Sequence, residues 1–125
     1  MKFLSPEWAQ AMKEALNADV AFRAGIRGAT ATLQQVVTTA DGEARYWIRI
    51  AEGAVDMDLG NAEAPDVTVT QGYDVAVGMA RREVSPVSAF MTGKLRVDGN
   101  LMLLLGLQEA FSRLPEVMAT IDVEY

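Results

Sequence analysis

The segment from Ala29 to Leu59 contains three successive runs in which apolar and polar residues alternate, and a tight-turn signal separates each run from the next. Alternation with a period of two places neighbouring side chains on opposite faces of a β-strand. The Asp41-Gly42 and Glu52-Gly53 steps favour short hairpin connections. The segment therefore predicts an antiparallel meander of three strands, with one apolar face and one solvated face.

Helical periodicity precedes the meander. Ser5 followed by Pro6 is typical of a helix start, because serine caps the first turn and proline fits the first helical position. The apolar residues that follow recur on one helical face: Trp8, Met12, Ala15 and Leu16. The sequence predicts an amphipathic first helix, and Phe22 and Ile26 predict an anchored short helix or turn after it.

Strand and helix signals alternate after the meander. Residues 67–70 alternate as a short fourth strand, and helical spacing returns from Tyr73 to Arg82. Ser85-Pro86 begins a second short helix, which Gly93 ends. A fifth strand follows at residues 94–98.

The last helix is expected to open at Gly99-Asn100, to run from Leu101 toward Arg113 and to end at Pro115. Its first part, Leu101 to Leu107, is apolar on every side, whereas a surface helix needs only one apolar stripe. Two interpretations stay open. The segment is either a central core helix, or a helix with one face on the sheet and the other on an apolar cavity.

Methionine supports the cavity interpretation, because its flexible side chain adapts to ligands of variable shape. Seven methionines occur in the chain. The four that favour the cavity interpretation are Met79, Met91, Met102 and Met118.

No linker or internal repeat divides the sequence, and 125 residues are enough for one domain with a core. We therefore predict a single α+β domain over residues 1–125. Its five-stranded, mainly antiparallel sheet has all its helices packed on one face.

Charge and composition exclude several functions. Seventeen acidic and eleven basic residues give a net charge of -6, which repels phosphate backbones, so we expect no nucleic-acid partner. The chain has no cysteine and no histidine, and we expect neither a metal site nor a cofactor. The apolar run at residues 101–107 is far shorter than the roughly 20 residues of a membrane helix. Without a signal-peptide pattern near Met1, the expected location is cytoplasmic.

Two polar groups have both a chemical and a structural explanation. Asp56 and Asp58 lie two residues apart on one strand, so both point to the same face; we expect them to solvate the outer face of the sheet. Arg81 and Arg82 could hold an anionic head group, but two cations at a helix end more often complement the helix dipole.

An isomerase alternative stays open on the same sequence. A carboxylate acting as base and a tyrosine acting as hydrogen-bond donor, from Tyr46 or Tyr73, could work in an apolar pocket. Nothing in the residue spacing requires this arrangement.

From Asp66 to Phe111 the sequence resembles the sterol carrier protein type-two family of lipid-binding domains. The resemblance is carried by the strand Asp66-Val67-Thr68-Val69 and above all by residues 85–100, SPVSAFMTGKLRVDGN. This pattern, Pro-x-x-Ala-Phe-x-x-Gly-Lys-Leu before a strand and Gly-Asn, is far more specific than a short motif. One departure is Arg81-Arg82-Glu83, at a turn where many relatives have a glycine.

The resemblance implies an apolar tunnel between sheet and helices that takes sterols, fatty acids or acyl-coenzyme A in members of the family. We predict non-catalytic lipid binding, with a fatty acyl chain favoured over a sterol. The candidate lining residues come from helices expected to face the sheet: Val77, Met79, Phe90, Met91, Leu101, Leu104, Leu105 and Met118. The main alternative is an interaction or homodimerisation module with a closed cavity, and a separate partner enzyme is a further expectation.

Overall fold

The computed structural model describes all 125 residues, and helices and strands alternate much as the sequence predicts. The helices are α1 (Pro6–Ala18), α2 (Val20–Gly25), α3 (Tyr73–Ala80), α4 (Pro86–Met91), α5 (Leu101–Gly106), α6 (Gln108–Phe111) and α7 (Leu114–Met118). The strands are β1 (Ala31–Thr39), β2 (Gly42–Ala51), β3 (Ala54–Leu59), β4 (Val67–Gly72) and β5 (Leu95–Gly99). The predicted α+β class is confirmed.

The five strands form one sheet in the order β3-β2-β1-β4-β5. The meander is confirmed, because β2 pairs antiparallel with both β1 and β3. Gly42 and Gly53 lie in the predicted turns with φ values of 129° and 74°, which glycine adopts at little cost. β4 pairs parallel with β1 and antiparallel with β5. The sheet is therefore mainly antiparallel, as predicted, with one parallel pair.

The connection from β3 to β4 has to pass β2 and β1, since β3 lies at one edge and β4 lies beyond both strands. Gln34 holds this connection on the face opposite the helices. Its Nε2 donates to the Gly60 carbonyl (3.0 Å), and its Oε1 accepts from the Ala62 amide (2.7 Å). Gln34 is buried as a result. The predicted solvated face is thus partly covered by the chain itself.

Helix α1 lies along the edge strand β3. Ser5 caps it as predicted, its Oγ accepting from the Trp8 amide at 3.2 Å, and the predicted apolar face is buried. Near its end, Asn17 pairs with the backbone of Val55: Nδ2 donates to the carbonyl (2.8 Å) and Oδ1 accepts from the amide (2.9 Å). The side-chain amide thereby takes the place of a neighbouring strand at that point.

The prediction of one long helix ending at Pro115 is wrong. The segment forms the three short helices α5, α6 and α7, and Pro115 lies in the first turn of α7, where a missing amide hydrogen costs no helical bond. Gly106 weakens the helix just before the break. Beyond the break Ala110 contacts α2 closely: a Cβ at Gly25 would lie 2.8 Å from the Cβ of Ala110. Packing against α2 therefore redirects the chain.

A line of ionic contacts joins α2 to the ends of α3 and α7. Asp19 caps α2 by accepting from the Phe22 amide (2.9 Å), and it also accepts from two nitrogens of Arg113, at 2.8 and 3.1 Å. Arg113 also pairs with Glu116, which in turn pairs with Arg82. The hydrogen bonds from Arg113, followed by that from Phe22, lower the pKa of the Asp19 carboxyl below its ordinary value.

We predict that Asp19→Asn makes the fold less stable at neutral pH and less sensitive to acid. Asparagine keeps a cap for α2 but loses the charge that Arg113 meets. Since the folded pKa lies below the ordinary value of 3.8, the native carboxylate stabilises the fold above that value. This contribution is lost as the pH falls through the lower, folded pKa.

Denaturant unfolding between about pH 7 and pH 2 measures both effects as the free energy of unfolding. Glu63→Gln, in the exposed loop after β3, is the matched control and should keep the acid dependence of the native chain. An unchanged acid dependence in Asp19→Asn would contradict the assigned role of Asp19.

Arg82 has a φ of 61°, a left-handed conformation that costs an L-residue roughly 1–2 kcal/mol. It lies in the turn that follows α3. We predict that Arg82→Gly is more stable than Arg82→Ala by about 1 kcal/mol, because both lose the pair with Glu116 and only alanine keeps the strain. Urea unfolding of the two variants measures the difference, and equal stabilities would refute the strain.

Candidate binding site

The face of the sheet that meets the helices carries no charged side chain. Its positions follow from the register of the four strand pairs. They are Ala31, Leu33, Gln35, Val37, Thr39, Ala44, Tyr46, Ile48, Ile50, Val55, Met57, Leu59, Val67, Val69, Gln71, Leu95 and Val97. Four of these are polar, namely Gln35, Thr39, Tyr46 and Gln71. This charge-free face is the floor on which any site between sheet and helices is built.

The buried apolar residues do not form one continuous core. A cluster of 19 residues joins α1, α2, α3, α6 and α7 to β1, β2 and β3. Val67 and Val69 of β4 and Ala89 of α4 are also buried, but they lie outside this cluster. The packing is therefore interrupted where α4 and α5 lie over β4 and β5.

Helices α4 and α5 expose an unusual amount of apolar side chain. Ser85 and Pro86 start α4 and Asn100 starts α5 as predicted, but both helices are only six residues long. Six of the eight large exposed apolar residues lie on them: Val87, Phe90, Met91, Leu101, Met102 and Leu105. We call these six residues the α4–α5 apolar surface. A concentration of exposed apolar side chains often marks a binding site, whereas single exposed apolar residues are normal.

The eight predicted lining residues fall into two groups. Phe90, Met91, Leu101 and Leu105 belong to the α4–α5 apolar surface. Val77, Leu104 and Met118 pack in or against the main core cluster, and Met79 of α3 is half-buried. The structure thus leaves four of the residues exposed on α4 and α5 and places three others in ordinary packing contact.

Neither interpretation of the Leu101–Leu107 segment describes it fully. Leu107 is buried, Leu103 and Leu104 are half-buried, and the residues around them are exposed. The segment is not a core helix covered on every side. One side rests on the main cluster and the other belongs to the α4–α5 apolar surface.

Two surface concavities lie away from that surface. The larger, of about 540 Å³, is lined by Ala80, Arg81, Arg82, Pro115, Glu116, Ala119 and Tyr125. Arg82 pairs there with Glu116, and the Arg81 guanidinium lies 4.8 Å from the centroid of the Tyr125 ring. The smaller, of about 280 Å³, lies beside Val20 and Gly53. Neither concavity includes any of the predicted lining residues. Arg81 and Arg82 both make contacts within the chain.

The carboxylates of β3 point away from the apolar face. Asp56 pairs with Lys13 at 2.9 Å, and Asp58 accepts from the amide of Leu59 at 2.8 Å. Tyr46 lies on the opposite face, where burial raises the pKa of its hydroxyl. The isomerase alternative therefore cannot combine Tyr46 with either aspartate. No group of three or more carboxylates is arranged to hold a metal ion.

The sequence analysis missed Gln71, a polar residue on the apolar face. Gln71 is only 6% exposed, and its Nε2 donates to the Oε1 of Gln35 at 3.1 Å. The signal was available: in the alternation of β4, Gln71 occupies the same face as Val67 and Val69. A polar residue at an apolar position of a strand indicates a buried hydrogen-bonding group.

The helices of the chain are all too short or too polar to cross a membrane.

Comparison with known proteins identifies this fold. A crystal structure of sterol carrier protein 2 is 21% identical, with a TM-score of 0.81 over 96% of this chain and 99% of that one. A solution structure from Thermus thermophilus, suggested to be a sterol carrier protein, is also 21% identical, with a TM-score of 0.80 over 99% and 92%. Palmitated SCP2L2 from Aedes aegypti is 22% identical, with a TM-score of 0.63 over 91% and 94%.

No curated protein sequence matches the chain. Residues 9–112, however, match the family model described as the SCP-2 sterol transfer family. This match spans most of the chain and includes the residue 85–100 pattern. The chain therefore belongs to the SCP-2 sterol transfer family.

Proposed function

We propose that the protein binds a single lipid by its acyl chain, between the α4–α5 apolar surface and the charge-free face of β4 and β5. The observation that carries the proposal is the exposure of six large apolar residues directly beside an interrupted core. The palmitated state of the Aedes aegypti relative supports an acyl ligand. The bound chain would bury the apolar side chains that now face water.

Burial of an acyl chain provides enough free energy to hold the ligand without covalent chemistry. Removing a methylene from water yields about 0.8 kcal/mol, so a long acyl chain yields on the order of 10 kcal/mol before the costs of association. We propose no catalytic step. All eight candidate lining residues remain part of the proposal, with the four exposed ones on α4 and α5 in direct contact with ligand.

Entry of the ligand would need only a local opening. Ala89 is the single buried residue of α4, and α5 has none. Elements that bury so little open at low free-energy cost, while the rest of the fold stays closed. We also propose that residues 1–125 act as one unit in the cytoplasm, alone or beside a partner enzyme.

Lipid retained through gentle purification is the first expected result. Native mass spectra before and after organic extraction should differ by the mass of a lipid, present in less than one equivalent. Delipidated protein should then bind a fluorescent fatty acid. Superimposable spectra and no rebinding would leave lipid binding without support. A stable dimer without lipid would favour the interaction-module alternative, in which the α4–α5 apolar surface meets a second copy.

A matched pair of substitutions tests the position of the site. Met91 on α4 is 78% exposed and Val20 on α2 is 83% exposed, so changing either to serine should alter stability by no more than about 0.5 kcal/mol. We predict that Met91→Ser weakens fatty-acid binding by roughly threefold to tenfold, the cost of one lost apolar contact. Val20→Ser should bind as the native protein does. Equal affinities for the two variants, measured by fluorescent-lipid titration, would remove Met91 from the site.

A further inference from the structure

Gln71 has a hydrogen-bonding capacity that the protein does not meet. Its Nε2 donates to Gln35, but no protein group donates to its Oε1, which is buried. Gln34 and Gln71 are the only polar residues among the 26 that are buried. The side chain of Gln34 is fully used, because Nε2 donates to the carbonyls of Gln35, Tyr46 and Gly60 and Oε1 accepts from the Ala62 amide. Leaving a buried acceptor unpaired costs roughly 1–3 kcal/mol, so the unpaired Oε1 of Gln71 requires an explanation.

Gln71 is the end of a row of polar side chains across the apolar face. Gln35 is the cross-strand neighbour of Tyr46, and the Tyr46 ring meets Trp8 edge to face with centroids 5.1 Å apart. The indole nitrogen of Trp8 is also buried without an acceptor. This row of Trp8, Tyr46, Gln35 and Gln71 is uncharged throughout.

The row lies within reach of the proposed lipid site. Leu95 of β5 is the direct cross-strand partner of Gln71 on the same face, and it is only half-buried. Adjacent strands are about 4.8 Å apart. A ligand that lies over β5 and under α4 therefore needs to extend by one strand to bring a polar atom to Gln71.

The chemistry of Gln71 limits what that atom can be. An orphan acceptor requires a donor, which an ionised carboxylate and an ether lack. A carboxylate would also need a buried counter-charge, and none of the 26 buried residues is charged. A hydroxyl group supplies the missing donor and remains neutral.

We propose that Gln71, oriented by Gln35, recognises the hydroxyl group of an uncharged lipid alcohol that binds with its polar end inside. The inference rests on the proposed function, since it describes the polar end of the same site. It assigns to Gln71 the choice between a neutral alcohol and an ionised acid.

The test compares three ligands of similar size on delipidated protein, each displacing the neutral dye Nile red. They are decanol, its isomer methyl nonyl ether, and decanoate at about pH 8, where the acid is ionised. Native protein should bind decanol about fivefold more tightly than the ether, the effect of one hydrogen bond. Equal affinities for the two isomers in native protein would overturn the inference.

Gln71→Met keeps the size of the side chain and removes the acceptor. It should weaken decanol binding about fivefold and leave the affinities for ether and decanoate unchanged. Thr70→Val, the adjacent residue on the outer face, is the matched control and should change none of them. Met removes both the unpaired Oε1 and the hydrogen bond from Nε2 to Gln35, which act in opposite directions, so the free energy of unfolding should change little.

Gln35→Met provides a second variant, and it should reduce the preference for decanol by releasing the Gln71 amide. Equal losses for all three ligands in Gln71→Met would assign the residue a merely structural role and overturn the inference alone. Failure of Nile red and all three ligands to bind native protein would overturn the proposed function, and the inference with it.

Discussion

The parallel pairing of β1 with β4 organises this molecule. It brings the strand that follows the meander back to the centre of the sheet, and it forces residues 60–66 across the outer face, where Gln34 holds them. A parallel pair cannot be closed by a hairpin and needs a longer crossover. Because the connection uses the outer face, the inner face is left entirely to helices. That one pairing therefore leaves the inner face of the sheet to the helices and the outer face to the connection between β3 and β4.

The inner face is itself divided. Aromatic contacts such as Phe3 with Trp8, at 5.1 Å between ring centroids, consolidate the half over the meander. The half over β4 and β5 is roofed by two six-residue helices with a single buried residue between them. A sheet with one firmly packed half and one lightly covered half can keep its fold while its cover moves. This division suits the proposed binding of a large apolar molecule without unfolding.

Local patterns predicted the parts of the fold that local interactions determine. The caps at Ser5 and Ser85, the turn glycines and the faces of the strands each depend on a few neighbouring residues, and the structure agrees with them. The break at Leu107 was not predictable, since it depends on the contact of Ala110 with Gly25, far away in sequence. Exposure of Met91 and Leu105 likewise depends on how little of the sheet two short helices can cover. The lack of a donor for the Gln71 Oε1 could be recognised only once the register of three strands was known.

The side chain of Asn17, which completes the backbone bonding of Val55, gives the two ends of the sheet different properties. An exposed edge strand is a template for pairing with another chain, and natural proteins block such edges. At β3 the block is provided from within, by α1 and its asparagine. At β5 the edge is short and carries Arg96 and Asp98, paired with each other. The β3 edge is therefore closed to strand addition by a helix, whereas the β5 edge, beside the proposed lipid site, is protected only by its shortness and its charges.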